Sequence, residues 1–272
     1  MAGSTAADDT VLEAALRRDR WIVVASLAGV TVLAWLYLVV LAQAMASMGH
    51  PGGWRAFMGL MPMGRWGLLE YALGFAMWAL MMVGMMVPSA APMIMLYARV
   101  ARRAQSDGPP LASTTAFAAG YLLMWGAFSL VAAAVQGVLV DLALMTETMT
   151  SASRVLAGAV FIAAGLYQWT PMKQACLAHC RSPISFLSRH WRPGPSGALR
   201  MGMEHGAYCV GCCWALMAVL FAVGIMNLTW IAAIAVFVLV EKAAPFGAWG
   251  PRVAGALLAT LGVLTLTGSI AS

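Results

Sequence analysis

MGMEHGAYCVGCCWALM, residues Met201–Met217, is the stretch on which the reading of this chain turns. It opens an apolar run that continues to Met226 and carries three of the five cysteines, Cys209, Cys212 and Cys213. On a helix, residues three and four apart share a face. His205, Cys209, Cys212, Cys213 and Met217 therefore put an imidazole, three thiols and a thioether on one stripe. The other two cysteines stand just upstream, in Cys176-Leu-Ala-His179-Cys180. All five fall between residues 176 and 213, and the rest of the chain holds none.

The surroundings fix the class. A chain of 272 residues that is 62% hydrophobic and 10% charged, with mean hydropathy +0.83, reads as an all-α, polytopic membrane helix bundle. The first twenty residues are polar and mixed in charge, and no small-residue cleavage pattern follows the first apolar run, so no cleavable signal is expected. An odd number of cysteines rules out complete internal pairing as disulfides.

Working along the chain, residues 1–20 form a cytoplasmic lead, disordered or amphipathic, that ends in Arg17, Arg18 and Arg20. Residues 21–272 form a single transmembrane domain of about seven spans: Trp21–Ala44, Tyr71–Tyr97, Thr115–Leu139, Ser153–Thr170, His205–Met226, Thr229–Lys242 and Val253–Ser269. Between the first two lies a loop with His50, Pro51, Gly52, Gly53 and Pro62, set at the interface by Trp54, Phe57 and Trp66. The longest loop is Pro171–Glu204, and the turn at Met226-Asn227-Leu228 is tight. In the methionine-rich second span, Pro88 and Pro92 each remove a backbone donor, which predicts a kink or an unwound segment. Such a break survives in a membrane only where protein or a cavity satisfies the freed carbonyls.

Loop charge gives the orientation. With the N-terminus inside, thirteen Lys/Arg lie on the cytoplasmic side and three, Arg55, Arg65 and Arg154, on the other. The positive-inside rule then sets the chain N-inside and C-outside in its membrane. The net charge of +6 is accordingly a topology signal, and no nucleic-acid partner is implied. This topology brings Cys176, His179 and Cys180, then His205 with Cys209, Cys212 and Cys213, then Glu241 and Lys242, to the cytoplasmic leaflet. The second span delivers Met93 and Met95 to the same depth.

Thiolates and thioethers are soft donors that select Cu(I) or Zn(II), and imidazole suits both. Cys209-x-x-Cys212 and Cys176-x-x-His179-Cys180 are two such arms. The expected metal set is Cys176, His179, Cys180, His205, Cys209, Cys212, Cys213 and Glu241, with copper(I) favoured over zinc for its affinity to sulfur and thioether. Glu241 enters as a carboxylate or proton acceptor beside the thiols, against the plainer role of a span-end anchor for Glu241 and Lys242. Met81/Met85 and Met82/Met86 either continue a soft-donor path or simply fill the core, as methionines in apolar helices usually do. His50 and His190 read as solvated loop residues. The function that follows is handling of a soft metal ion, in transport or in delivery to a metal-donor or acceptor protein. The alternative is a metal-dependent or thiol-disulfide oxidoreductase, which a reducing cytosol disfavours. No serine/histidine/acid order, phosphate loop or paired-carboxylate site suggests a hydrolase.

WALMMVGMMVPSAAP (Trp78–Pro92), YQWTPMKQACLAHCR (Tyr167–Arg181), GAYCVGCCW (Gly206–Trp214), GIMNLTW (Gly224–Trp230) and Glu241-Lys242 resemble a bacterial family of predicted metal-binding integral membrane proteins of unknown function. The resemblance covers about residues 70–250. It implies a multi-span fold and metal binding, with Cys176, Cys180, Cys209, Cys212, Cys213 and Glu241 at the matched positions.

Overall fold

The computed structural model describes residues 3–46, 66–104, 110–145, 150–243 and 249–269. The described residues form helices and no strands. In chain order these are α1 (Gly3–Ala46), α2 (Leu68–Ala104), α3 (Pro110–Asp141), α4 (Arg154–Tyr167), α5 (Pro171–Arg181), α6 (Pro183–His190), α7 (Gly194–Ala218), α8 (Leu220–Val223), α9 (Leu228–Ala243) and α10 (Trp249–Leu266). The chain is thus the polytopic helical bundle its composition predicts.

Among the described residues five segments are long and apolar enough to cross a bilayer: Trp21–Gln43, Leu68–Arg102, Ser113–Asp141, Gly194–Val223 and Trp249–Leu266. The bent pair α4 and α5, which turns through 63° at Gln168–Thr170, has the length and apolar character of a broken span or a re-entrant loop. The seventh span expected from the sequence, Thr229–Lys242, corresponds to α9. Its described part is 16 residues, about 24 Å of helix.

The expected loop Pro171–Glu204 is mostly helix, holding α5, α6 and the first turns of α7. The reason is local. Thr170 caps α5, its side chain accepting from the Lys173 amide at 3.2 Å, and Pro171 takes the first helical position. Pro183 does the same for α6. The N-terminal lead is also continuous with the first span in α1. The interfacial loop expected at His50–Pro62, with Trp54 and Phe57, lies outside the described residues.

No unwound segment appears at Pro88 and Pro92; α2 runs through both as one helix. Pro88 cannot donate to the Gly84 carbonyl four residues back. That carbonyl instead accepts from the Trp35 indole of α1 at 3.2 Å. Here a neighbouring helix satisfies the freed group, so the span keeps its helical path.

The core lies where α2, α3 and α7 meet. Trp78, Met81, Met82, Met85 and Met86 of α2, Phe117, Tyr121 and Trp125 of α3, and Cys209, Cys212, Cys213 and Met217 of α7 are buried there. Missing side chains let α3 and α7 approach so closely. A Cβ on Gly202 would fall 2.0 Å from the Phe117 carbonyl oxygen, and one on Gly120 would fall 2.1 Å from that of Leu199. Small residues at helix crossings bring backbones together in membranes, and this crossing sets Tyr121 beside Cys209. The outward faces carry Leu33, Leu36, Val40, Leu123, Leu130 and Val131, all exposed.

Candidate metal centre

The α7 stripe forms as the spacing predicts. Cys209, Cys212 and Cys213 are fully buried and His205 is 4% exposed, all on one helix face with Met201 and Met217. The α5 arm lies against it. Cys180 Sγ stands 4.0 Å from Cys212 Sγ, and Cys176 Sγ presses on Gly211, where any Cβ would fall 2.8 Å from it. The Tyr167 hydroxyl donates to the Gly211 carbonyl, which ties the α4 end to the same turn of α7. Cys209 joins this turn through its backbone, whose carbonyl accepts from both Cys212 and Cys213, so thiols from two helices are gathered against one turn of α7. From α2, Met86 Sδ comes to 4.0 Å from Cys213 Sγ.

These distances suit a shared soft ion. Two sulfurs each about 2.3 Å from one metal stand roughly 3.8 Å apart at a tetrahedral angle and roughly 4.6 Å apart if collinear. Both 4.0 Å sulfur pairs fall between those limits. The thiols are gathered but not all aimed inward. Cys212 and Cys213 each donate to the Cys209 carbonyl, at 3.1 and 2.9 Å. Among the described residues no three His, Cys, Asp or Glu side chains already close on a common point. All five cysteines are free thiols.

The remaining expected ligands divide. His205 is walled by the rings of Phe117, Tyr121 and Phe186, and its buried Nδ1 has no hydrogen-bond partner. A buried polar atom without a partner is costly, so this nitrogen is open to a hydrogen-bond partner or, in the tautomer that leaves it unprotonated, to a metal. His179 turns away, stacking on Tyr208 with ring centres 4.1 Å apart and its Nδ1 on the Ala175 carbonyl. Glu241 sits in a separate buried ion pair. Its two oxygens lie 2.9 and 3.0 Å from Lys173 Nζ, with both side chains essentially inaccessible. Lys173 also donates to Gln168 Oε1 at the α4–α5 break.

It is the neighbouring Lys242 that reaches the thiols. Its Nζ donates to Cys209 Sγ and to Ser89 Oγ, each at 2.9 Å. Tyr121 closes the far side, its hydroxyl 3.1 Å from both Cys209 Sγ and the Met86 carbonyl. Sequence reasoning assigned Lys242 an anchoring role and passed over Tyr121 and Ser89. Lys242 follows Glu241 directly, and only the helix register decides which of the two faces the sulfurs.

The family model of the PpoB2 copper chaperones matches residues 75–265. The chain belongs to this family. No curated protein and no solved structure matches it. The motifs of this sequence had pointed to a metal-binding family without a function. The matched family is described as copper chaperones, and that description replaces "unknown function". The matched stretch contains every thiol, both helix prolines, Lys242 and the buried methionines of α2. For a copper chaperone of this family the donor chemistry fits: a pair of thiols at bridging distance, a thioether beside a third thiol, and an unpartnered imidazole nitrogen are soft or borderline ligands.

Proposed function

We propose that this protein binds copper(I) as cargo at the thiol centre of α5 and α7 and delivers it to, or accepts it from, a partner protein at the bacterial inner membrane. The observation that carries this reading is the Cys180–Cys212 sulfur pair, 4.0 Å apart on two different helices, with Met86 Sδ 4.0 Å from Cys213 Sγ on the same turn of α7. The proposed ligands are drawn from Cys176, Cys180, Cys209, Cys212 and Cys213, with His205 as the nitrogen donor. His179 and Glu241 lie outside the inner set, because each is held by another partner. Zinc sites are built from thiolate, imidazole and carboxylate, whereas here the Met86 thioether stands 4.0 Å from Cys213 Sγ; a thioether among the donors supports copper(I) over zinc.

Release requires that ligands exchange one at a time. Cys176 and Cys180 are half-buried on the α5 arm, while the α7 thiols are fully enclosed. Copper would pass between the bundle and a partner by way of α5. In the proposed N-inside, C-outside orientation, which the loop-charge bias supports, this mouth opens at the cytoplasmic leaflet.

The test is metal content. Protein purified in detergent, loaded with Cu(I) and desalted, is compared with the Cys209→Ser/Cys212→Ser/Cys213→Ser variant. Stoichiometric copper in the wild type and little in the variant is the expected result; equal content in both rejects the reading. The 4.0 Å sulfur pair also allows a dithiol redox role. Alkylation without reductant separates the two, since a resting disulfide would leave Cys180 and Cys212 unlabelled after unfolding.

A further inference from the structure

The thiol centre contains a charge that no metal ligand needs. Lys242 extends from the last turn of α9 into the cluster and places its ammonium 2.9 Å from Cys209 Sγ. The stem crosses to α2, where Ser89 Oγ holds the same nitrogen at 2.9 Å. Ser89 is in turn fixed by donating to the Met86 carbonyl at 2.9 Å, the carbonyl that also accepts from Tyr121. The ammonium is therefore positioned by three helices. Of the other charges nearby, Glu241 is neutralised by Lys173 at 2.9 Å, and the half-buried Arg181 is turned onto the Glu241 carbonyl, to which its Nε donates at 2.8 Å, so Lys242 is the cation that hydrogen-bonds a thiol.

Charge balance in the bundle interior then selects the ion. Thiols bind metal as thiolates. Two thiolates on a monovalent ion carry one net negative charge, which the ammonium brings to zero. Two thiolates on a divalent ion are already neutral, and the same ammonium leaves one uncompensated positive charge. Uncompensated charge is strongly disfavoured away from water.

We propose that Lys242 is the ion-selecting residue of the centre, the counter-charge of a monovalent metal dithiolate, so that the site takes Cu(I) or Ag(I) in preference to Zn(II) or Cd(II). This rests on the copper-handling reading and adds to it. Softness alone does not separate Cu(I) from Cd(II), whereas charge does. Lys242 acts through Cys209 and is not a ligand.

The experiment measures Ag(I) and Cd(II) affinities by chelator competition on the full chain in detergent, for wild type, Lys242→Met and Lys242→Arg. The wild type is expected to favour Ag(I). Lys242→Met is expected to lose at least tenfold of the Ag(I)-to-Cd(II) ratio, and Lys242→Arg to keep most of it. A purely structural lysine would weaken both ions together and leave the ratio in place. An unchanged ratio in Lys242→Met, or a ratio lost in Lys242→Arg, overturns the proposal. So does a wild type that holds Cd(II) through three thiolates as tightly as Ag(I), a result that needs no variant to fold. Failure of the wild type to bind Ag(I) or Cu(I) at all would instead reject the copper-handling function.

Discussion

Removing the Glu241 carboxylate separates the two roles open to that residue. In the structure both its oxygens lie about 3 Å from Lys173 Nζ, and the side chains are 0% and 1% exposed. At that separation and an effective dielectric near 20, the attraction is roughly 5 kcal/mol. Glu241→Ala leaves the Lys173 ammonium buried with only Gln168 Oε1 to accept from it. Breaking a buried pair from one side costs about 3–5 kcal/mol, and the Gln168 contact puts the expected loss near the lower end, about 3 kcal/mol. The Lys173→Met/Glu241→Met double variant removes both charges and fills the space with apolar atoms. It should lie within about 1 kcal/mol of wild type, because buried ion pairs are often replaceable as a unit. Measured against the matching singles, Lys173→Met and Glu241→Met, the coupling between the two positions would then be about 3 kcal/mol or more, far from additive. The assay is reversible unfolding in mixed detergent micelles, followed by helical circular dichroism, with copper content read on the same preparations. A Glu241→Ala loss below about 1 kcal/mol, or a double variant equal to the sum of the singles, refutes the buried-pair account. Loss of copper from a stably folded Glu241→Gln protein would return Glu241 to the ligand set.

Four other outcomes follow from the same contacts. Gly202→Ala places a Cβ 2.0 Å from the Phe117 carbonyl and forces α3 and α7 apart; a loss of about 1–3 kcal/mol in micelle unfolding is expected, and an unchanged midpoint contradicts the close crossing. Trp35→Phe removes the donor to the Gly84 carbonyl that Pro88 leaves free, which should cost about 1–3 kcal/mol; adding Pro88→Ala should recover much of it. Tyr121→Phe deletes the hydroxyl shared by Cys209 and Met86 and should weaken Cu(I) binding by less than about tenfold, as loss of one buried hydrogen bond does. Maleimide should label Cys176 and Cys180 in the folded protein and reach Cys209, Cys212 and Cys213 only after unfolding; early labelling of Cys212 would contradict its burial.

The helical architecture and the α7 stripe were legible because apolar run length and helical spacing report directly on span and face. His205, Cys209, Cys212 and Cys213 accordingly share the face that their spacing assigned. The α5 arm was legible as residues but not as a helix, since polar composition outweighed the Thr170-Pro171 start signal. The unwound segment, one of the two outcomes expected at the prolines of α2, is absent for a different reason. Whether Pro88 breaks a helix depends on what satisfies the Gly84 carbonyl, and that partner, Trp35, sits on another helix. The same limit hid the swap at 241 and 242. Two adjacent charges point in directions about 100° apart on a helix, and only the packing of α9 against α2 and α5 decides that Lys242 meets the thiols while Glu241 meets Lys173. Tyr121 and Ser89 carried no motif at all; the α3–α7 crossing at Gly120 and Gly202 and the Met86 turn of α2 deliver them.

The most direct measurement is X-ray absorption at the copper edge on Cu(I)-loaded protein, wild type beside Cys180→Ser/Cys212→Ser. A sulfur-dominated first shell in the wild type, with copper lost or moved to a nitrogen and oxygen shell in the variant, is the predicted result. A wild-type shell of nitrogen and oxygen, or a sulfur shell unaffected by removing both thiols, would contradict the thiol centre.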